Sequence, residues 1–367
     1  MKKALFVATV VKTHIMVFHL PFLKMLQEMG YETAVAARND YDNKNKCNIP
    51  YCDEYFDILF ERSPFSFANI KAYRQLRKII GEGHYDIIHC HTPVGGVLAR
   101  LAARGSGAKV IYTAHGFHFY KGAPLLNWLV YFPIEWLCAW LTDVLITINQ
   151  EDYALAQKYM HAKQVFYIPG VGIDLEKFNR NIANEQKKAE KCSELGLNTE
   201  DKILLSVGEL NKNKNQEIVI RALAKINNPK VKYFIAGEGN FRDYLLNLIK
   251  ELGLNNQVKL LGYRTDILDL LAVTDLFVFP SHREGLSVSL MEAIACKVPV
   301  ICSNIRGNKD LVVGSSLFNQ NDVEDVKNKI LSFLFSDCLA EVESNYANLQ
   351  KYSLGNVLQE MRKVYEK

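Results

Sequence analysis

The stretch Leu276–Ile301, LFVFPSHREGLSVSLMEAIACKVPVI, decides the fold. Its apolar opening, Leu276 to Phe279, has the length of a buried strand and is broken by Pro280. A polar turn follows, Ser281-His282-Arg283-Glu284-Gly285, and then a helical pattern with Leu286, Leu290, Met291 and Ile294 on one side. Pro299 ends that pattern, and Val300-Ile301 begins another strand. Strand, glycine turn, helix, strand is a βαβ unit, whose helix N-terminus points at the carboxyl edge of a sheet, where ligands bind. Glu284 and Glu292 bracket that helix start. Eight residues at a rise of ~1.5 Å predict about 12 Å between them. The pair suits a ligand with hydroxyls at both ends and an anionic middle resting on helix amides.

Working outward, strand-like runs alternate with helical ones along the whole chain. In the first half these are Ala4–Ala8, Thr33–Ala37, Tyr55–Phe60, Asp86–Cys90, Lys109–Ala114, Asp143–Ile148 and Val165–Ile168. Amphipathic helices fit between them, at about His19–Met29, Phe67–Ile80 and Glu151–Met160. Asn179–Lys191 is polar and reads as a linker with a short helix. The alternation restarts at Lys202–Val207 and continues through Val231–Gly239 and Val258–Leu261 to the opening stretch. Two doubly wound parallel sheets are predicted.

Composition narrows the class. The 367 residues are 49% hydrophobic and 23% charged, with a formal net charge of +4. That excess lies in the first 180 residues, which hold 20 basic and 16 acidic side chains. It is too small for nucleic-acid binding and compatible with an anionic membrane surface. Eight cysteines show no C-x2-C pair, as expected of free thiols in a reducing compartment. Met1-Lys2-Lys3 leads straight into a strand, not a signal peptide, and Pro124–Ile148 carries too many polar residues to span a bilayer. The expectation is a cytoplasmic protein, peripheral at the membrane. Trp128, Tyr131, Phe132, Trp136 and Trp140 fit either a buried, proline-kinked helix or an interfacial face reaching membrane-anchored molecules.

Several strand ends carry candidate chemistry. No glycine fingerprint follows the first strand, which argues against a dehydrogenase and leaves Lys12, Thr13, His14 and His19 there. Asp40-Tyr41-Asp42, the sole D-x-D, reads as a solvated turn and not a metal site. His115 closes a strand directly before Gly116, with His91 and His118 as further candidates. Gly208-Glu209-Leu210-Asn211-Lys212-Asn213-Lys214 is a glycine-led, lysine-bearing turn before a helix, suited to a diphosphate without any metal.

Glu284-Gly285 with Glu292, His115 and the Gly208–Lys214 turn together resemble the signature of retaining family-4 glycosyltransferases, and the resemblance covers nearly the whole chain. It implies a GT-B fold, with domains at 1–178 and 192–350 facing a cleft and a C-terminal helix, 351–367, crossing back to the first. It implies that Glu284 meets the donor hexose, Glu292 the ribose hydroxyls, His115 the sugar and first phosphate, and Lys214 the diphosphate. Gly208, Gly285, Leu286 and Ser287 would line the phosphates through backbone. Gly262, Tyr263 and Arg264 would face the base. The family arginine of the lysine turn is replaced by Glu209, so Arg283, Lys212 or Arg306 must assist.

The subgroup most resembled builds bacterial exopolysaccharide, capsule and lipid-linked glycans. It implies a UDP-hexose or UDP-N-acetylhexosamine donor, an acceptor on undecaprenyl diphosphate, and contact with the inner membrane surface. Two rivals share the fold: a non-hydrolysing UDP-N-acetylglucosamine 2-epimerase, and a non-catalytic assembly subunit.

Overall fold

Residues 1–61, 63, 66–179 and 185–367 are described by the computed structural model. Contacts divide the chain into two units: Met1–Gly172 with Leu354–Lys367, and Ile173–Ser353.

The first unit is built on seven strands: β1 (Lys2–Val10), β2 (Tyr31–Arg38), β3 (Glu54–Asp57), β4 (Ile87–His91), β5 (Lys109–Ala114), β6 (Val144–Thr147) and β7 (Gln164–Tyr167). They pair in parallel in the order β3-β2-β1-β4-β5-β6-β7. Strand order therefore reverses between β1 and β4. Ala4–Val10 is buried without alternation, as helices on both faces require. Helix Leu354–Glu366 belongs to this unit; it buries Val357, Met361, Val364 and Tyr365 at helical spacing in the core that holds Phe22, Leu26 and Phe6.

The second unit has six strands: β8 (Lys202–Val207), β9 (Val231–Ala236), β10 (Val258–Gly262), β11 (Leu276–Phe279), β12 (Val300–Ser303) and β13 (Leu317–Phe318). Their order is β10-β9-β8-β11-β12-β13, again parallel, with the reversal between β8 and β11. The expected doubly wound sheets are both present. β13, two residues long, is too short to leave a periodic signal.

Three expectations are corrected. The helix of the opening stretch starts at Val288, behind a Ser287 N-cap whose hydroxyl accepts from the Leu290 amide. Glu284 thus lies in a turn, and the helical estimate of its distance from Glu292 does not apply. Helix Leu125–Ala139 contains Pro133, as the pattern suggested, but it is not a buried helix: Leu125, Leu126, Leu129 and Leu137 are exposed, as is Trp140 beyond its end. Within the expected linker, Glu185–Leu195 is helical and continues past Lys191; residues 180–184 lie outside those described. No helix among the described residues is long and apolar enough to cross a membrane.

Candidate functional site

Ligands of open parallel sheets bind beyond the carboxyl ends of the strands where strand order reverses. In the second unit those ends are Val207 and Phe279, and the two turns that leave them are stitched together. The Asn213 carbonyl accepts from the His282 amide at 2.7 Å, and Asn213 Nδ2 donates to the Arg283 carbonyl at 3.0 Å. Asn215 Nδ2 reaches the Pro280 carbonyl at 3.3 Å. This seam places Lys214 Nζ 2.7 Å from Glu284 Oε1 and 4.8 Å from the centroid of the Phe279 ring. Sequence reasoning named Lys214 and Glu284 separately; the fold makes them an ion pair.

The glycines around this pair are tightly placed. A methyl group on Gly208 (φ 156°) would meet Lys214 Cε at 3.2 Å. One on Gly307 (φ 75°) would meet the Gly285 carbonyl oxygen at 2.2 Å, so the Ser303–Asn308 turn backs directly onto the Glu284-Gly285 turn. Leu286 is half-buried and Ser287 is buried as the helix cap. Glu292 lies in the helix, half-buried, and desolvation raises its carboxyl pKa while Lys177 partly opposes this.

The cation question opened by Glu209 has a partial answer. Glu209 is exposed, so its carboxylate stays hydrated. Arg306 is buried, Lys212 is exposed, and Arg283 is half-buried with no carboxylate partner among the described residues. At the end of β10, Gly262 accepts from the Gly237 amide at 2.8 Å, and Tyr263 is 74% exposed. Arg264 is committed elsewhere: its Nε donates to Asp266 at 2.7 Å and its Nη2 to Glu194 at 2.8 Å.

In the first unit the reversal lies between β1 and β4, and histidines crowd it. His14 sits in the single wide turn Val11–Ile15 after β1, His19 immediately before helix Leu20–Glu28, His91 ends β4, and His115 follows β5. His14 Nε2 lies 3.1 Å from His19 Nε2, and His91 Nδ1 lies 3.3 Å from His115 Nε2. His19 and His91 stack with centroids 3.9 Å apart. His89 packs against His91 with ring centroids 4.1 Å apart and the rings tilted by 41°, and is hydrogen-bonded to Thr113 and Tyr365, each at 2.8 Å. Burial holds every one of these rings below the ordinary imidazole range: His14 and His89 to about 3, His115 to about 4, His19 and His91 well below, with mutual repulsion adding for all but His115. All five are neutral at pH 7.

Local chemistry fixes this arrangement. Gly116 takes φ 122° directly after His115, and the Phe117 amide donates to buried Asp152 at 3.0 Å. Thr92, next to His91, adopts φ 64°, a strained value for a β-branched residue, with its hydroxyl 2.6 Å from that of Thr9. The D-x-D turn is structural: Asp40 accepts from the Lys12 amide at 2.6 Å and the Thr13 hydroxyl at 3.1 Å, and Asp42 pairs with Lys12 Nζ. A cavity of 480 Å³ opens beside His14, lined by Thr13, Leu98, His118, Tyr131, Ile134 and Glu135 among others.

The histidine cluster was missed as a unit because its members are spread from 14 to 115, and only the topology brings the ends of β1, β4 and β5 together.

Comparison with known proteins gives one consistent result. A family profile described as "Glycosyl transferases group 1" matches residues 187–350, and one described as "Glycosyl transferase 4-like" matches residues 3–149. EpsD of Bacillus subtilis (strain 168), named as a glycosyltransferase, is 43% identical over 318 residues, spanning 85% of this chain and 81% of its own. An Escherichia coli UDP-Gal:alpha-D-GlcNAc-diphosphoundecaprenol alpha-1,3-galactosyltransferase is 32% identical over 297 residues, 76% of each chain. Among solved structures, Anabaena HepE in complex with UDP and glucose superposes with a TM-score of 0.81 over the full length of both chains at 22% identity.

Proposed function

Since the chain belongs to the group 1 glycosyltransferases and has their GT-B architecture of two Rossmann-like units, we propose that it transfers a hexose or N-acetylhexosamine from a UDP-sugar to an undecaprenyl-diphosphate-linked glycan, with retention of configuration, in exopolysaccharide or capsule synthesis. The observation that carries this is the Lys214–Glu284 pair at the switch point of the second sheet. It holds the cation for a leaving diphosphate against the carboxylate for a hexose, with Glu292 on the next helix for ribose hydroxyls.

As the glycosidic bond to the diphosphate breaks, negative charge grows on the leaving oxygen. Lys214 and the amides of Gly285–Ser287 are preset to meet it, which lowers the barrier more than it stabilises the bound donor. Arg283 supplies the charge that Glu209 cannot, so the diphosphate is held without a metal. On the first unit, His115 is the candidate catalytic contact, half-buried and neutral, able to donate a hydrogen bond to a sugar hydroxyl.

The names of the relatives support the acceptor class, since the E. coli enzyme acts on a diphosphoundecaprenol substrate. Peripheral membrane contact is supported by exposed Leu125, Leu126 and Leu129, and by helix Ala68–Gly83, which exposes Lys71, Arg74, Arg77 and Lys78 beside Ile70.

The test is a panel of UDP-, GDP- and ADP-sugars in calorimetry and in transfer assays with a synthetic polyprenyl-diphosphate saccharide. A UDP-sugar should bind and transfer with retained anomeric configuration. Absence of nucleotide-sugar binding, an inverted product, or conversion of UDP-GlcNAc to its 2-epimer without acceptor would overturn the reading.

A further inference from the structure

Four imidazoles from three separate stretches meet at the switch point of the first sheet, and their arrangement exceeds what packing needs. We infer that His14, His19, His91 and His115 form a binding site for one zinc-class divalent transition-metal ion per chain. One ring nitrogen from each lies within 4.8 Å of all the others. A tetrahedral ion with bonds of about 2.0–2.1 Å sets neighbouring nitrogens about 3.3–3.4 Å apart. Two pairs are close to that spacing already: His14 with His19 at 3.1 Å and His91 with His115 at 3.3 Å. The other pairs lie within 4.8 Å and close toward that spacing when an ion binds.

Buried polar atoms are nearly always paired, and here two are not. His19 and His91 are each 1% exposed, and their second ring nitrogens, His19 Nδ1 and His91 Nε2, have no hydrogen-bond partner, so each ring is hydrogen-bonded only through the nitrogen that faces the cluster. A cluster serving only as core would use apolar rings of the same size. Neutral imidazoles offer lone pairs with no proton to displace. His89 packs against His91 and is itself fixed by Thr113 and Tyr365, which limits how far the His91 ring can turn. Four nitrogen donors select zinc, copper, nickel or cobalt over magnesium, calcium or manganese, which prefer oxygen.

From the sequence no metal is expected, because these four histidines form no short-spaced ligand motif. All four ligands belong to the first unit. The site includes His115, so a filled site withholds that ring from substrate; this consequence rests on the role proposed for His115.

The experiment uses the full-length protein stripped by chelator and dialysed. Zinc is titrated in competition with a chromophoric chelator, and cobalt is followed by ligand-field absorption. One equivalent of zinc should bind, cobalt should give a tetrahedral nitrogen-ligand spectrum, and magnesium should not compete. His19→Gln and His91→Asn should each weaken zinc by more than the roughly 10–100-fold that loss of an outer-shell partner produces. His14→Gln, nearer the surface and the least threat to folding, should weaken it similarly. His161→Gln, on the exposed histidine stacked on Trp140, should change nothing. A stoichiometry near zero, affinity that survives the three cluster substitutions, or a thiolate charge-transfer band assigning the ion to cysteine would each overturn the site. Turnover should fall as zinc fills it; unchanged turnover at full occupancy would leave the site standing and overturn the role of His115.

Discussion

The hydroxyl of Tyr365 lies 2.8 Å from Nδ1 of His89, across 276 residues of chain. Both side chains are buried, and the bond ties the last helix to the middle of the first sheet at the floor of the histidine cluster. Tyr365→Phe keeps the ring and removes the partner of a buried nitrogen. Such an orphaned group costs about 1–3 kcal/mol, which should appear as a lower midpoint in urea with little change in slope. A midpoint equal to wild type would show that the bond contributes nothing.

The Lys214–Glu284 pair can be separated from its surroundings by two substitutions. Lys214→Ala removes the cation facing the leaving diphosphate and should lower kcat by about 10²–10³-fold, the usual loss for one preorganised charge-stabilising group. Gly307→Ala touches no substrate, yet its methyl would sit 2.2 Å from the Gly285 oxygen and displace the turn that carries Glu284. Donor affinity should fall in this variant while Lys214 and Glu284 remain intact; unchanged affinity would show that the turn tolerates the shift.

Glu292 is expected to trade stability for binding. Burial raises its carboxyl pKa in the folded state above the unfolded value. The folded state therefore retains the proton longer: the stabilising contribution is complete at low pH and is lost as pH rises through the folded pKa. Glu292→Gln should raise Tm at pH 7, and the gain should shrink as pH falls toward the ordinary carboxyl range. The same change deletes an acceptor for ribose hydroxyls, and a hydrogen bond to a charged group contributes about 1.5–3 kcal/mol, so UDP affinity should fall roughly 10–150-fold. A melting curve and a UDP titration on one sample check both halves.

Arg100 is buried, and its partner Glu135 lines the 480 Å³ cavity. Its Nη2 donates to Glu135 Oε2 at 2.9 Å, its Nε to the Gly96 carbonyl at 3.0 Å, and its guanidinium stacks 3.9 Å from the centroid of Tyr112. Removing one member of a buried pair leaves an uncompensated charge, and Arg100→Met should destabilise by about 3–5 kcal/mol. Arg100→Met with Glu135→Leu should be milder than Arg100→Met alone, since both charges then leave together. If the double variant is the worse of the two, packing of Glu135 against Tyr112 matters more than charge.

Strand and turn positions were legible because each turn residue has a local cause. Continuous apolar runs marked β8 and β11 closely, and glycines after them marked the turns. What was not legible was proximity. Nothing along the chain says that Asn213 bridges to Arg283, or that Asp40 accepts from the Lys12 amide and the Thr13 hydroxyl. The resemblance implies a base contact for Arg264, mostly through backbone, and gives no sign that its side chain pairs with carboxylates at 194 and 266. The exposed face of helix Leu125–Ala139 was hidden because leucine and tryptophan density signals burial and an interfacial surface alike.

The first unit takes its last helix from residues 354–366, after the whole of the second. During synthesis at about 5–20 residues per second, the seven-stranded sheet therefore waits roughly ten to forty seconds for its cover. In that interval Phe22, Leu26 and His89 face water or a chaperone. The half of the chain made first is thus finished last, and a nascent chain stalled before Leu354 holds a complete second unit beside an open first one.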